Sequence, residues 1–264
     1  MEEIKTFFIL SQGRTGTKFL SSLLNDVDGL CVQHEPWEAD TDILFYSYAG
    51  QFDEVVDQML SNRFKTLTSE LSKNVNYGEC NSYLRYNGSW LKENLNAQLI
   101  YTCRDGRDYV RSAYQRALYT DYEQQLSIVP KTENPYAKRW NNLTRFEKIC
   151  WYWAETNRHL HSESAGNVLQ VEKILTDYDY FNQHINNTLG ISISKDVWHK
   201  SVAKPENSST RLSNIKRKVR VKIKGGQVKD IGDTLANYEG WSKEMVTAFD
   251  EICGSVMTDL GYSF

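Results

Sequence analysis

The chain opens with a short apolar run, Thr6–Ser11 (TFFILS), unbroken by a charged residue. Such a run reads as a strand buried on both faces, as in a parallel sheet. A glycine-punctuated turn, Gln12–Gly16, follows. Phe19, Leu20, Leu23 and Leu24 then recur at helical spacing, which predicts a helix from Thr17 to Asn25. Leu30–Gln33, Tyr77–Cys80, Leu99–Cys103 and Val168–Val171 read as further short strands. Phe52, Val55, Val56, Met59 and Leu60 mark a helix between the second and third of these.

The second half continues the pattern. Tyr109, Val110, Ala113 and Ala117 form one apolar stripe, and Phe146, Ile149, Cys150, Trp153 and Leu160 a longer one. Met245, Phe249, Ile252, Val256 and Leu260 form the last, with Gly261 where a helix cap belongs. Asp121–Asn142 and Lys204–Gly226 read as irregular, and Ala39–Gly50 as a loop. Strands alternating with helices predict an α/β fold. The expectation is a three-layer, P-loop-like parallel sheet flanked by helices, with 1–264 as a single domain and no internal repeat.

Composition narrows the class. Hydrophobic residues make up 40% and charged residues 25%, with a net charge of −3, so there is no overall bias towards nucleic acid. Five cysteines, an odd number with no Cys-x-x-Cys pair, fit reduced thiols and exclude a zinc knuckle. No basic and then apolar leader is visible, and no apolar run approaches the ~20 residues of a membrane helix. The expectation is a cytoplasmic protein without a membrane span.

Two segments carry candidate chemistry. Gly13, Arg14, Thr15, Gly16, Thr17, Lys18 and Phe19 join the first strand to the first helix. A strand–turn–helix of this kind aims free backbone N–H groups and the positive end of the helix dipole at one point. Gly13 and Gly16 allow close approach of an anion, while the Arg, Lys and Thr side chains add charge and donors. The loop is not a Walker A motif. Only two residues separate Gly13 from Gly16, and Lys18 is followed by Phe19 rather than by the hydroxyl that would hold Mg²⁺.

The second segment begins with Arg104 after the fourth strand, and Ser112 lies about two helical turns on. At the carboxyl edge of a parallel sheet the two can meet on one phosphate. The plain alternative is that Arg104 pairs with Asp105 or Asp108 and Ser112 faces solvent.

Together these segments resemble the sulfotransferases that use 3′-phosphoadenosine 5′-phosphosulfate. Arg14-Thr15-Gly16-Thr17-Lys18 is similar to the loop that binds the 5′-phosphosulfate there, with Lys18 in place of a hydroxyl residue. Arg104-Asp-Gly-Arg-Asp108 with Ser112 is similar to the segment that binds the 3′-phosphate, with Gly106 in place of proline. Val168–Leu175 and Trp241–Tyr262 extend the resemblance more loosely. It implies that 3′-phosphoadenosine 5′-phosphosulfate is the co-substrate, that no metal is used, and that the acceptor is a hydroxyl compound such as a saccharide.

A hydroxyl acceptor needs a base as its bond to sulfur forms. His34-Glu35-Pro36-Trp37 follows the second strand, and carbohydrate-acting members of the family carry a Glu-Pro at a similar place. By that resemblance Glu35 is the candidate base and His34 its rival, with Arg14 assisting the departing phosphate. The second strand is expected beside the first. Glu79 and Asn81 are candidates to orient the acceptor, and Trp37, Trp140, Trp151 and Trp153 either stack on ligand or fill the core.

The resemblance implies that the basic stretch Arg211–Lys224 closes over the donor, through Ser209 and Arg211 or Lys224 and Gly225; the alternatives are that it grips an acidic acceptor or is a plain solvated loop. Two other functions remain open on sequence alone. One is a P-loop-like kinase or nucleotide hydrolase; the other is a non-catalytic protein that binds anionic glycans.

Overall fold

A computed structural model describes residues 6–70, 76–121, 123, 127–204 and 234–263. Five parallel strands form its sheet: β1 (Thr6–Ser11), β2 (Leu30–His34), β3 (Asn76–Asn81), β4 (Gln98–Cys103) and β5 (Val168–Gln170), in the order β2-β3-β1-β4-β5. Parallel neighbours need crossover connections, and helices supply them. These are α1 (Thr17–Asn25), α2 (Asp40–Ala49), α3 (Asp53–Glu70), α4 (Gly88–Leu95), α5 (Gly106–Tyr114) and α6 (Arg145–Glu163). The short α7 (Val171–Thr176) leaves β5, and helices at Lys195–Val202 and Lys243–Asp259 complete the flanks.

The central strand shows why the layers form. Phe7 and Ile9 pack on one face with Phe19, Leu20, Leu23 and Leu24 of α1. Phe8 and Leu10 pack on the other with Val56, Leu60 and Phe64 of α3 and Leu91 of α4. A strand's period of two sends successive side chains to opposite faces, so both must be apolar when both are covered. Gly78 faces Phe7 across the β1–β3 pair, and a Cβ there would overlap the Phe7 ring. A third cluster joins α5, α6 and the C-terminal helix around Trp151, Trp153 and Phe249. Thr144 and Glu147 form a capping box that starts α6.

Several expectations need correction. β3 lies between β1 and β2, so the strand carrying Glu35 is not the neighbour of the first. Ala39–Gly50 is not a loop, because Asp40–Ala49 is helical and closes on Gly50 at φ 65°. Its apolar residues Ile43, Leu44 and Tyr48 were masked by an acidic, aromatic surround. Val171 belongs to α7 rather than to the fifth strand. Within Asp121–Asn142 a short 3₁₀ turn spans Ala137–Asn142. Apart from Lys204, the stretch Lys204–Gly226 lies outside the described residues, and so do Ser209, Arg211, Lys224 and Gly225.

Candidate active site

The chain runs from β1 towards β2 on one side and from β4 towards β5 on the other. The connections leaving the carboxyl ends of β1 and β4 therefore diverge, and an open parallel sheet places its ligand crevice at such a point. A cavity of about 950 Å³ lies there. Its wall includes Gly13, Arg14 and Gly16 from the first loop, Thr17, Lys18 and Phe19 from the start of α1, His34 at the end of β2 and Glu35 after it, Ser82 and Arg85 after β3, and Arg104 after β4.

The first loop is shaped for close approach. Gly13 and Gly16 have φ of 82° and 73°, values open to glycine and costly to other residues. A Cβ at Gly16 would also lie 2.8 Å from Val171 Cγ2. Gly16 heads α1 without a side-chain cap, and no acidic residue sits in the first turn. The first amides of the helix are thus left for a ligand. Thr15 lies beneath the loop rather than on the cavity wall; its Oγ1 is buried without a hydrogen-bond partner.

Arg14 and Arg104 bring the two segments together. Arg14 Nε donates to Ser112 Oγ at 3.1 Å, and Arg104 Nη1 donates to the Arg14 carbonyl at 3.3 Å. Ser112 is therefore tied to the loop, as convergence on one ligand requires, although it does not itself line the cavity. Burial, and then the charge of Arg104, pull the Arg14 pKa below its ordinary value. Two cations pressed together in this way are a site that an anion relieves. Arg104 also pairs with Asp108 at 3.7 Å, so the plain alternative for Arg104 holds in part.

The second segment is held firmly. Asp105 caps α5 through the Arg107 amide, and its own amide donates to Glu172 at 3.0 Å. Trp153 Nε1 donates to the Arg104 carbonyl at 3.0 Å. Gly106, which stands where the resembling family has proline, packs tightly. A Cβ there would come within 3.1 Å of Met257 and Phe249 and 3.2 Å of Trp153.

Opposite these cations lies the candidate base. Glu35 has φ of 44° and Arg14 of 60°, so both side chains that face the crevice hang on left-handed backbone. Each such residue costs about 1–3 kcal/mol and persists only where its surroundings enforce it. Glu35 N is anchored to the Cys80 carbonyl at 3.2 Å, which carries the carboxylate across the end of β3. Its Oε1 accepts a short hydrogen bond from Ser82 Oγ. His34 Nε2 meets Thr17 Oγ1 at 3.0 Å, and its Nδ1 lies 3.9 Å from Glu35. The loop hydroxyl thus engages His34, while Glu35 is held by the next strand's turn.

Glu79 and Asn81 do not face the cavity. Glu79 is fully buried, and with Asp40 it clasps Arg63 through four hydrogen bonds of 2.6–2.9 Å. Asn81 donates to both carboxylates at 2.8 and 2.9 Å. Burial raises the Asp40 pKa, and Arg63 acts against it. The strand end at β3 matters through Ser82 and Arg85, a few residues further on. Trp151 and Trp153 are core, Trp140 packs edge-on against Trp151, and Trp37 lies 5.8 Å from Arg63. None of the four lines the cavity.

Sequence reasoning also missed Gln12, Tyr109 and Tyr152 on the wall. Gln12 Nε2 donates to the Tyr152 carbonyl at 2.9 Å, and Gln12 Oε1 accepts from Asn157 at 2.9 Å, which locks the loop to α6. Tyr152 follows Trp151 in an aromatic run, and its neighbours hid it. Among the described residues no cluster of three metal-ligating side chains occurs, and no helix is long and apolar enough to cross a membrane.

No protein-family model matches the chain, and no curated protein matches it. Solved structures do. The chain has the fold of the sulfotransferase domain from the curacin biosynthetic pathway, with a TM-score of 0.51 over 98% of both chains at 11% identity. Mouse sulfotransferase SULT7A1, complexed with PAP, aligns over 97% of this chain and 90% of its own with a TM-score of 0.49 and 15% identity. Sulfotransferase STF9 from Mycobacterium avium aligns over 100% of this chain and 79% of its own, with a TM-score of 0.46 and 10% identity.

Proposed function

We propose that this protein is a sulfotransferase that takes a sulfuryl group from 3′-phosphoadenosine 5′-phosphosulfate and places it on a hydroxyl acceptor. One observation carries the reading. Two cationic segments, one after β1 and one after β4, are joined through the Arg14–Ser112 and Arg104–Arg14 hydrogen bonds beside a single cavity. A nucleotide with phosphates on both its 5′ and 3′ positions needs two such seats. The crowded Arg14 charge fits an anionic occupant.

The donor supplies an activated sulfuryl group whose leaving group is a phosphate. The acceptor oxygen forms its bond to sulfur as the bond from sulfur to the phosphate oxygen breaks, and the acceptor proton leaves to a base. Glu35 is suited to receive that proton. Its carboxylate reaches the cavity and is oriented by Ser82 Oγ, whereas His34 is engaged by Thr17. Arg14, Lys18 and the first amides of α1 hold the negative charge that gathers on the departing phosphate. Arg104 holds the 3′-phosphate, while Ser112 steadies Arg14. The acceptor is a hydroxyl compound, and the resemblance of Glu35-Pro36 to the carbohydrate-acting members makes a saccharide one class for it.

The test is calorimetry in EDTA. Adenosine 3′,5′-bisphosphate is expected to bind without metal, and Arg104→Ala to weaken it by about 1.5–3 kcal/mol while adenosine 5′-phosphate loses far less. Binding that requires Mg²⁺ would remove the reading. Equal losses for the two ligands would reassign Arg104.

A further inference from the structure

Arg85 is a buried charge that the reaction outlined above leaves unexplained. It lies in the turn between β3 and α4, is 1% exposed, and contributes to the cavity wall. A guanidinium at that depth is strongly disfavoured unless a counter-charge or a full set of acceptors meets it. Among the described residues no carboxylate pairs with Arg85. Nη1 donates to the Ser82 carbonyl, Nη2 donates to the Tyr152 hydroxyl at 2.8 Å, and Nε has no partner. The rings of Tyr86 and Tyr152 flank it at 5.2 and 5.6 Å, which offers partial compensation only.

The acids of the cavity are engaged elsewhere. Glu35 accepts from Ser82, Asp108 pairs with Arg104 and Arg111, and Glu172 accepts from the Asp105 amide and Tyr262. Glu123 accepts from the Tyr119 amide and Ser127. Arg85 is thus a cation built into the wall without its anion.

We propose that Arg85 and Tyr152 form the seat for an anion carried by the acceptor, so that the acceptor is a hydroxyl compound bearing a carboxylate, sulfate or phosphate. This rests on the sulfotransferase reading for the word acceptor, but the anion seat itself does not. The Tyr152 oxygen accepts from Arg85, which leaves the phenolic proton to donate into the cavity. The seat and the candidate base share one turn. Ser82 orients Glu35 through its side chain and receives Arg85 through its carbonyl. An anion held here places the rest of its molecule beside Glu35. The donor's own charges are met by Arg104 and by Arg14 and Lys18, whose loop adjoins this turn: a Cβ at Gly13 would lie 3.4 Å from Ser82 Oγ.

Side-chain nitrogen NMR tests this, with the Arg85 Nε–H signal assigned by its loss in Arg85→Lys. Acetate, then sulfate, is titrated into the full chain, alone and with 3′-phosphoadenosine 5′-phosphosulfate at saturation. A saturable shift of the Arg85 signal is expected in both states, and Tyr152→Phe should weaken the anion on the order of tenfold. No saturable shift in either state would overturn the seat. A shift abolished by the intact donor would assign Arg85 to the sulfuryl group and overturn the acceptor. Unchanged anion affinity in Tyr152→Phe would overturn the pairing of the two residues. If acetate binds but the nucleotide does not, the sulfotransferase reading falls and the anion seat stands.

Discussion

Two arginines are buried within one sheet edge of each other, and they have opposite surroundings. Arg63 on α3 is enclosed by Asp40 and Glu79, which take four of its hydrogen bonds, with Asn81 and Tyr77 bracing the carboxylates. Arg85, after β3, meets one carbonyl and one phenol. Burial disfavours the Arg63 charge, yet Glu79 and Asp40 outweigh it and hold the pKa above its ordinary value. A closed ion cluster of this kind pins α2, α3 and β3 to one another. An open cation at a cavity wall instead stores an electrostatic demand that a ligand can satisfy. The same residue type is thus a structural clasp in one place and a recognition element in the other, and the difference lies in the partners.

Stability measurements break the comparison most sharply. Arg63→Met leaves two buried carboxylates without a cation and is expected to cost about 3–5 kcal/mol. Arg85→Met removes a charge that has no counter-ion, so its cost should be far smaller. Urea denaturation of both variants reads the difference, and equal losses would show that Arg85 too is a structural clasp.

A catalytic test probes the cavity side. Glu35→Gln keeps the shape of the side chain and removes its basicity, so turnover should fall by on the order of 10²–10⁴ while donor affinity holds. The loss is expected in turnover assays with any competent acceptor. Full activity in Glu35→Gln together with an inactive His34→Ala would move the base to His34.

A smaller effect concerns the segment that carries Arg104. Gly106→Pro introduces the residue of the resembling family, and its Cβ would press on Met257, Phe249 and Trp153 at 3.1–3.2 Å. The expected loss is about 1–3 kcal/mol, read by thermal or chemical denaturation. A neutral or stabilising result would mean that the C-terminal helix shifts readily to make room.

The smallest effect sharpens the Arg85 side. His159 Nε2 donates to the Arg85 carbonyl at 3.1 Å, and burial is the main cause that lowers its pKa below the ordinary value. The unfolded chain therefore takes up the proton more readily than the folded one. The contribution to stability is present above the ordinary histidine pKa of about 6.5 and is lost as pH falls through the lower folded value. Denaturation midpoints measured across that range should show a slope that His159→Gln flattens.

The sequence by itself determined the alternation of strands and helices, the glycine loop after the first strand and the Arg104 segment. These are local properties. Apolar runs and helical stripes are written in consecutive residues, and a loop that must bend at Gly13 and Gly16 announces itself by those glycines. Short elements were harder to see, since the apolar residues of α2 run consecutively from Ile43 to Tyr46 without a helical period, and α4 is only eight residues long. Strand order was not legible, because a run such as Leu30–His34 carries no mark of which strand lies beside it. That order put β3 between β1 and β2, and Glu35 reaches the crevice only through its anchor on Cys80. Charge partnership was equally hidden. Glu79 read as a polar residue at a strand end, and nothing in the sequence singled out Arg85. Tertiary packing decided that one would be sealed against Arg63 and the other left facing a cavity without its anion, because the energy of a buried charge depends on groups brought near it from distant parts of the chain.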